Sequence, residues 1–290
     1  MKIIIHAGTH KTATTSFQAL CARSHKKLLK SGILYPIIKH PKYKNQFTFQ
    51  HSIYARDLSR KHPELTKKHF QRILESASKQ DLHTLLLSGE DFENILIDRL
   101  LLDRLLNLCA ELGIAQPTLA FTVRDPFSYF CSLYNELSNK NIGLDFKQLA
   151  LTVASTGYLA VPTSCSTDDR LAFNNFFAID ASFFIKDLRT RHPDLKVLKS
   201  SFTTFTRPKL GLDLMTRLFN PIIANSINFS SMKPKNKGIS NLYAEINYVK
   251  NFLHTDDELS IKQMSLKRLE SRIKAEPFVQ NLFSQSFNTP

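Results

Sequence analysis

A chain of 290 residues with 42% apolar composition can bury a full core, and it reads as one α/β domain over residues 1–290. No run of about 18 apolar residues occurs and no leader pattern precedes the first strand, so neither a membrane span nor a signal peptide is expected and the reading is cytoplasmic. The balance of 39 Lys+Arg against 25 Asp+Glu, formally +14, favours anionic partners, and no nucleic-acid signature accompanies it.

Taken in chain order, the first element is a strand over Lys2–His6, with Ile3, Ile4 and Ile5 apolar in succession as in a strand buried on both faces. Gly8 opens a loop of small and hydroxyl residues around Lys11, and a helix follows over Thr15–Lys30. Residues Ile37–Gln50, rich in Lys, His, Asn and Pro, read as an irregular loop. Thr84–Ser88 is a second buried strand, and Asp98–Leu112 a leucine-rich helix ending at Gly113. Thr118–Val123 is a third strand; Asp125 is a good helix N-cap and Pro126 fits the first helical position. A helix over Arg170–Arg191, a strand over Lys196–Ser200, an irregular stretch over Pro221–Ser240 and helices over Tyr243–Leu253 and Glu258–Lys274 complete the chain. Short apolar strands alternating with helices predict a parallel sheet between helical layers. Cys21, Cys109, Cys131 and Cys165 lie far apart, with no C-x-x-C pair and no histidine at zinc spacing, so they read as reduced thiols and no metal site is expected.

Two places carry chemistry. The loop Gly8-Thr9-His10-Lys11-Thr12-Ala13-Thr14-Thr15 joins a buried strand to a helix start, where backbone N–H groups and the helix dipole favour an anion and Lys11 adds a full charge. Its spelling is not the nucleotide loop G-x-x-x-x-G-K-[ST], because Gly8 stands too close to Lys11 and no glycine precedes the lysine. The second place is Arg124 at the end of the third strand. Ser128 and Ser132 share a face of the helix that follows, so a guanidinium fork and a hydroxyl converge on a phosphate mount. An acceptor needs a base, and Glu90 follows Thr84–Ser88 at the carboxyl edge of the sheet, where doubly wound proteins place ligands. His51 is the second choice, and Asp91 stands beside Glu90.

Lys11-Thr12-Ala13-Thr14-Thr15 resembles the K-[ST]-G-[ST]-[ST] loop of sulfotransferases that use 3′-phosphoadenosine 5′-phosphosulfate (PAPS). Arg124-Asp125-Pro126, with Ser132 eight positions after the arginine (132 − 124 = 8), resembles that family's second signature. The segments Gly32–Pro36, His51 and Leu85–Phe92 resemble a bacterial branch of it, over roughly residues 2–140, and Asn236–Ser240 resembles a loop that packs near the donor. The resemblance implies a three-layer α/β fold like that of P-loop kinases and a PAPS donor with no metal. His10, Lys11, Thr12, Ala13, Thr14 and Thr15 would hold the 5′ end, and Arg124 with Ser132 the 3′-phosphate. Lys11 would stabilise the leaving phosphate, with Glu90 or His51 as base toward a hydroxyl or amine of a glycan, an acidic polysaccharide included, or of a small molecule. Three departures stand out. Ala13 replaces a glycine, which suits a helical φ below zero but not a left-handed one. The G-x-x-G-x-x-K lid is missing, and Tyr129 replaces an arginine common in carbohydrate sulfotransferases. An ATP-dependent kinase and a noncatalytic binder of anionic polymers are the competing readings. Acceptor-binding loops are expected at Ile37–Arg56 and Gly143–Asp169, with Tyr35, Tyr43, Phe47, Phe49 and Tyr158 as aromatic surfaces.

Overall fold

The computed structural model describes residues 1–39, 47–59, 63–139, 145–162, 174–203, 211–219, 221–227, 240–252 and 257–287. Its strands are β1 (Lys2–Gly8), β2 (Ile33–Leu34), β3 (Ile38–Lys39), β4 (Phe47–Thr48), β5 (Thr84–Ser88), β6 (Thr118–Val123), β7 (Tyr158–Pro162), β8 (Asn174–Ala178) and β9 (Val197–Ser201). The helices of the first two-fifths are α1 (Thr14–Arg23), α2 (His25–Lys30), α3 (Ser52–Ser59), α4 (Glu64–Ser78) and α5 (Arg99–Glu111), with a 3-10 helix at Glu90–Leu96. They are followed by α6 (Pro126–Asn139), α7 (Phe146–Thr156), α8 (Ala181–Arg191), α9 (Leu212–Leu218), α10 (Pro221–Ser226), α11 (Asn241–Phe252) and α12 (Glu258–Phe287). The chain gathers into two compact units, one of Met1–Arg124, Ala160–Ala178 and Ser182–Lys235, the other of Asp125–Leu159, Ile179–Ala181 and Asn236–Pro290.

In the first unit a five-stranded sheet runs β2-β5-β1-β6-β9, and every neighbouring pair is parallel. Ile4, Leu86 and Ala120 pack on one face with Phe17, Leu20 and Leu28 from α1 and α2 and with Leu214, Met215 and Leu218 from α9. Side chains alternate along a strand, so Ile3, Ile5, Leu85 and Leu87 belong to the opposite face, and they are equally buried. Covered faces on both sides are the reason these strands read as continuous apolar runs. The α/β class with a parallel sheet between helices is therefore what forms. Its first strand lies in the middle, flanked by β5 and β6, so the crevice at its carboxyl end is the place such sheets keep for ligands.

The second unit is helical. Phe130 of α6 meets Phe146 of α7 and Phe283 of α12 with ring centroids 5.1 Å apart in each case. Asp125 caps α6 by accepting from the Ser128 N–H at 2.8 Å, as its sequence position predicts, and Asp145 caps α7 through Lys147 and Gln148. Among the described residues no helix is long and apolar enough to cross a membrane.

Several boundaries differ from expectation. The helix expected from Thr15 to Lys30 breaks at Ser24 into α1 and α2. Residues 174–178, expected inside the helix Arg170–Arg191, form β8 instead; residues 170–173 lie outside the described residues. The physical cause is tertiary. The Phe176 N–H donates to Asn94 Oδ1 at 2.9 Å and the Ala178 N–H to Glu93 Oε1 at 2.7 Å, so this backbone is satisfied by side chains rather than by its own carbonyls. Pro221–Ser226, expected to be irregular, is helical, and the last helix runs on from Lys274 to Phe287.

Candidate active site

The site begins with β1 itself. His6 is fully buried, with Nδ1 2.9 Å from Ser88 Oγ on β5 and Nε2 3.1 Å from Thr122 Oγ1 on β6. Burial pushes its pKa down to about 3, so the ring is neutral and ties the carboxyl ends of three adjacent strands together. Past it, Gly8 has no room for a side chain. A Cβ there would stand 2.6 Å from Thr14 Oγ1 and 3.1 Å from Thr12 Oγ1. Thr9 closes the turn by donating both its N–H and its hydroxyl to the Thr122 carbonyl, at 3.1 and 3.0 Å.

From there the backbone curls. Lys11 has φ 64° and Ala13 φ 61°, both left-handed, while Thr12 between them does not have a positive φ. Alternation of this kind turns successive N–H groups toward one side and forms an anion-binding concavity ahead of a helix N-terminus. Thr12 Oγ1 donates to the Thr9 carbonyl, and Thr14 Oγ1 lies 3.4 Å from Thr12 Oγ1. Ala13 thus has the left-handed conformation that suits glycine and not alanine, and alanine holds it at a cost of roughly 1 kcal/mol. Ala13→Gly relieves this strain. We expect it to raise stability by roughly 0.5–1 kcal/mol, read by thermal or denaturant unfolding, and a loss of stability would contradict the left-handed loop.

His10 does not face outward from the loop. It is buried, and one Glu93 oxygen accepts both its backbone N–H and its Nδ1–H, each at 2.8 Å. The other Glu93 oxygen accepts from Ala178 N–H, so this fully buried carboxylate fastens the loop to β8. On the other side of the ring, Nε2 lies 3.9 Å from Glu90 and 3.8 Å from Asp91. Burial opposes charging of the ring, but the Glu93 hydrogen bond and the charges of Glu93, Glu90 and Asp91 outweigh it and raise the pKa to about 9. His10 is an imidazolium at neutral pH. Residues three apart eclipse in a 3-10 helix, so Glu90 and Glu93 can address one ring. Asp91 is buried and its second oxygen pairs with Arg56. Glu90 opens this helix at the end of β5, with a side chain one-third exposed.

The structure moves His51 out of the base role. It is fully buried; its Nδ1 accepts from the Ser88 N–H and its Nε2 donates to the Pro36 carbonyl, both at 2.9 Å. Burial holds its pKa down to about 4. With both nitrogens committed, the ring staples α3 to the end of β5 and has no lone pair to offer. Gly89 completes that junction, since a Cβ would meet Ser52 N at 2.7 Å.

Arg124, at the end of β6, donates from Nη1 to the Lys11 carbonyl at 3.3 Å, and its guanidinium lies 5.2 Å from the Phe202 ring centroid. It and the loop are therefore brought together. Ser132 belongs to the second unit, half-buried on α6, and Tyr129 there is fully buried. Of the aromatic residues expected to line an acceptor site, Tyr35 is corrected to core, its hydroxyl donating to the Phe49 carbonyl at 2.6 Å. Tyr43 and Asn236–Ile239 lie outside the described residues, as do residues 143–144 and 163–169 of the expected acceptor loop.

Two residues that shape the candidate site escaped the sequence reading, His6 and Glu93. The signal for Glu93 was present: acids at 90, 91 and 93 after a buried strand place two of them on one side of a tight turn. Among the described residues no cluster of three or more His, Cys, Asp or Glu is arranged to hold a metal.

No family model and no curated protein matches this chain. A solved structure to which it is similar is the sulfotransferase domain from the Synechococcus PCC 7002 olefin synthase, at 13% identity, covering 94% of each chain, with a TM-score of 0.37. At so low a TM-score, fold and function rest on the chain's own residues.

Proposed function

We propose that this protein is a PAPS-dependent sulfotransferase working without a metal on a hydroxyl or amine of a glycan or small molecule, with residues 1–290 serving as one functional domain. The observation that carries the reading is the left-handed Lys11–Ala13 loop at the carboxyl end of the central strand, with Arg124 bonded to its backbone. The cradle fits a tetrahedral anion: Gly8 leaves it open, threonine hydroxyls and N–H groups border it, and Lys11 adds charge.

Sulfuryl transfer asks the protein chiefly to position groups and to stabilise charge on the departing oxygen. Lys11 supports that charge as the bond from sulfur to the bridging oxygen breaks. Glu90 is the base: it is partly exposed at the sheet edge and takes the acceptor's proton as the new sulfur–oxygen or sulfur–nitrogen bond forms. The neighbouring His10 imidazolium and the Glu93 clamp hold loop and acid at a constant separation. Thr12, Ala13, Thr14 and Thr15 border the 5′-phosphate, and Arg124 takes the 3′-phosphate.

Thermal shift with adenosine 3′,5′-bisphosphate, ADP and ATP compared side by side tests this. The bisphosphate alone should stabilise the protein by about 2.7 kcal/mol at a hundredfold excess over its dissociation constant, and Arg124→Ala should abolish the shift. Equal or greater stabilisation by ATP with Mg²⁺ would favour the kinase reading.

A further inference from the structure

The second unit contains a separate cavity of about 190 Å³. Its wall is made by Tyr134 of α6, Phe146 and Lys147 at the start of α7, Glu245 of α11, and Arg268 and Arg272 of α12. Arg272 is only 2% exposed, and its guanidinium sits 4.9 Å from the Tyr134 ring centroid and 4.8 Å from that of Phe146. Removing a guanidinium from water costs several kcal/mol unless its hydrogens are matched. Here the match is incomplete. Nη1 donates to Asn135 Oδ1 at 2.7 Å, and Nε faces Glu276 at 3.3 Å without hydrogen-bond geometry; Nη2 has no partner among the described residues.

The surrounding charges do not close that gap. One Glu245 oxygen accepts from Arg268 Nε at 2.9 Å, and the other stands 3.7 Å from Arg272 Nη1 and makes no hydrogen bond. Glu245 thus serves two guanidinium groups, and Glu276 is a second carboxylate beside Arg272. Asp145 is already used as the α7 cap. Lys147, Arg268 and Arg272 are thus matched in number by Asp145, Glu245 and Glu276, and what stays unmet is the Nη2 donor of Arg272. The amino end of α7, an eleven-residue helix, opens here as well, and Ser271 at an exposed position marks the mouth.

We propose that this cavity binds a small oxyanion of phosphate size, free or as the end group of a metabolite, held by Arg272 at the floor and Lys147 at the rim. A planar donor fork and a rim ammonium are groups that recognise such an ion. The cavity is too small for a nucleotide, whose sites run to about 300 Å³ or more.

Hydrogen exchange with inorganic phosphate, and in a parallel arm with glucose 6-phosphate, tests the site. Phosphate should slow exchange at residues 145–150 and 265–276. Slowing by inorganic phosphate alone marks a free-ion site, and slowing by both marks an end-group site. Arg272→Met, which keeps the buried volume, should weaken that effect roughly tenfold or more. Lys147→Glu, at an exposed rim position, should weaken it about as much without touching the buried network. Slowing confined to residues 8–15, or undiminished in both variants, would overturn the proposal.

Discussion

Lys11→Ala should lower sulfuryl transfer by roughly 10²–10³-fold, the usual cost of removing one preorganised group that meets developing charge. Its effect on folding should be small. Lys11 is already left-handed at φ 64°, and alanine in the same conformation has the same backbone cost, so unfolding temperature should hardly move. The separation of the two readouts gives the test its force. Release of adenosine 3′,5′-bisphosphate from PAPS with a panel of glycan and small-molecule acceptors measures the rate, and circular dichroism on heating measures the fold. Near-normal release in this variant would remove Lys11 from the chemistry. Loss of release together with collapse of the fold would instead make it a structural residue.

Glu93 carries the second large effect, and here the damage is to stability. Its two oxygens take the His10 N–H, the His10 ring and the Ala178 N–H in a site with no exposure. Glu93→Leu leaves a buried imidazolium and two buried amides without acceptors, and breaking such a pair costs about 3–5 kcal/mol. Glu93→Gln is the more informative change because it keeps one acceptor oxygen and removes the charge, while its NH2 faces one of the former donors. His10 has its pKa raised from 6.5 to about 9 in the folded protein. The folded state therefore holds this proton more tightly than the unfolded chain does. The resulting stability, on the order of 3 kcal/mol, is complete below pH 6.5 and is lost as pH rises through about 9. Unfolding temperature of the natural protein should fall across that window, and in Glu93→Gln the fall should be much shallower. Parallel curves for the two proteins would show that Glu93 does not hold the charge.

How much of this was legible in the chain can be judged residue by residue. Thr84–Ser88 and Thr118–Val123 could be bounded without error because both faces of a central parallel strand are covered, leaving an apolar run that starts and stops with burial. Asp125 and Pro126 announced a helix start through local rules alone. The edge strand β2 was missed, since a two-residue ladder has no periodicity to detect. β8 was read as helix because the acceptors for its N–H groups, Asn94 and Glu93, lie over eighty residues earlier.

The same division runs through the candidate site. Local chemistry in the sequence determined the loop around Lys11, the strands that carry it and the arginine at the end of β6, because turns, caps and apolar runs depend on near neighbours. Tertiary structure alone decided that His51 is a staple, that His10 is a buried cation and that Ala13 is left-handed. The two histidine outcomes depend on which distant groups share a buried space with the ring, where an unmet hydrogen bond or an unpaired charge is too costly to keep. That of Ala13 follows from the curl of the loop between β1 and α1.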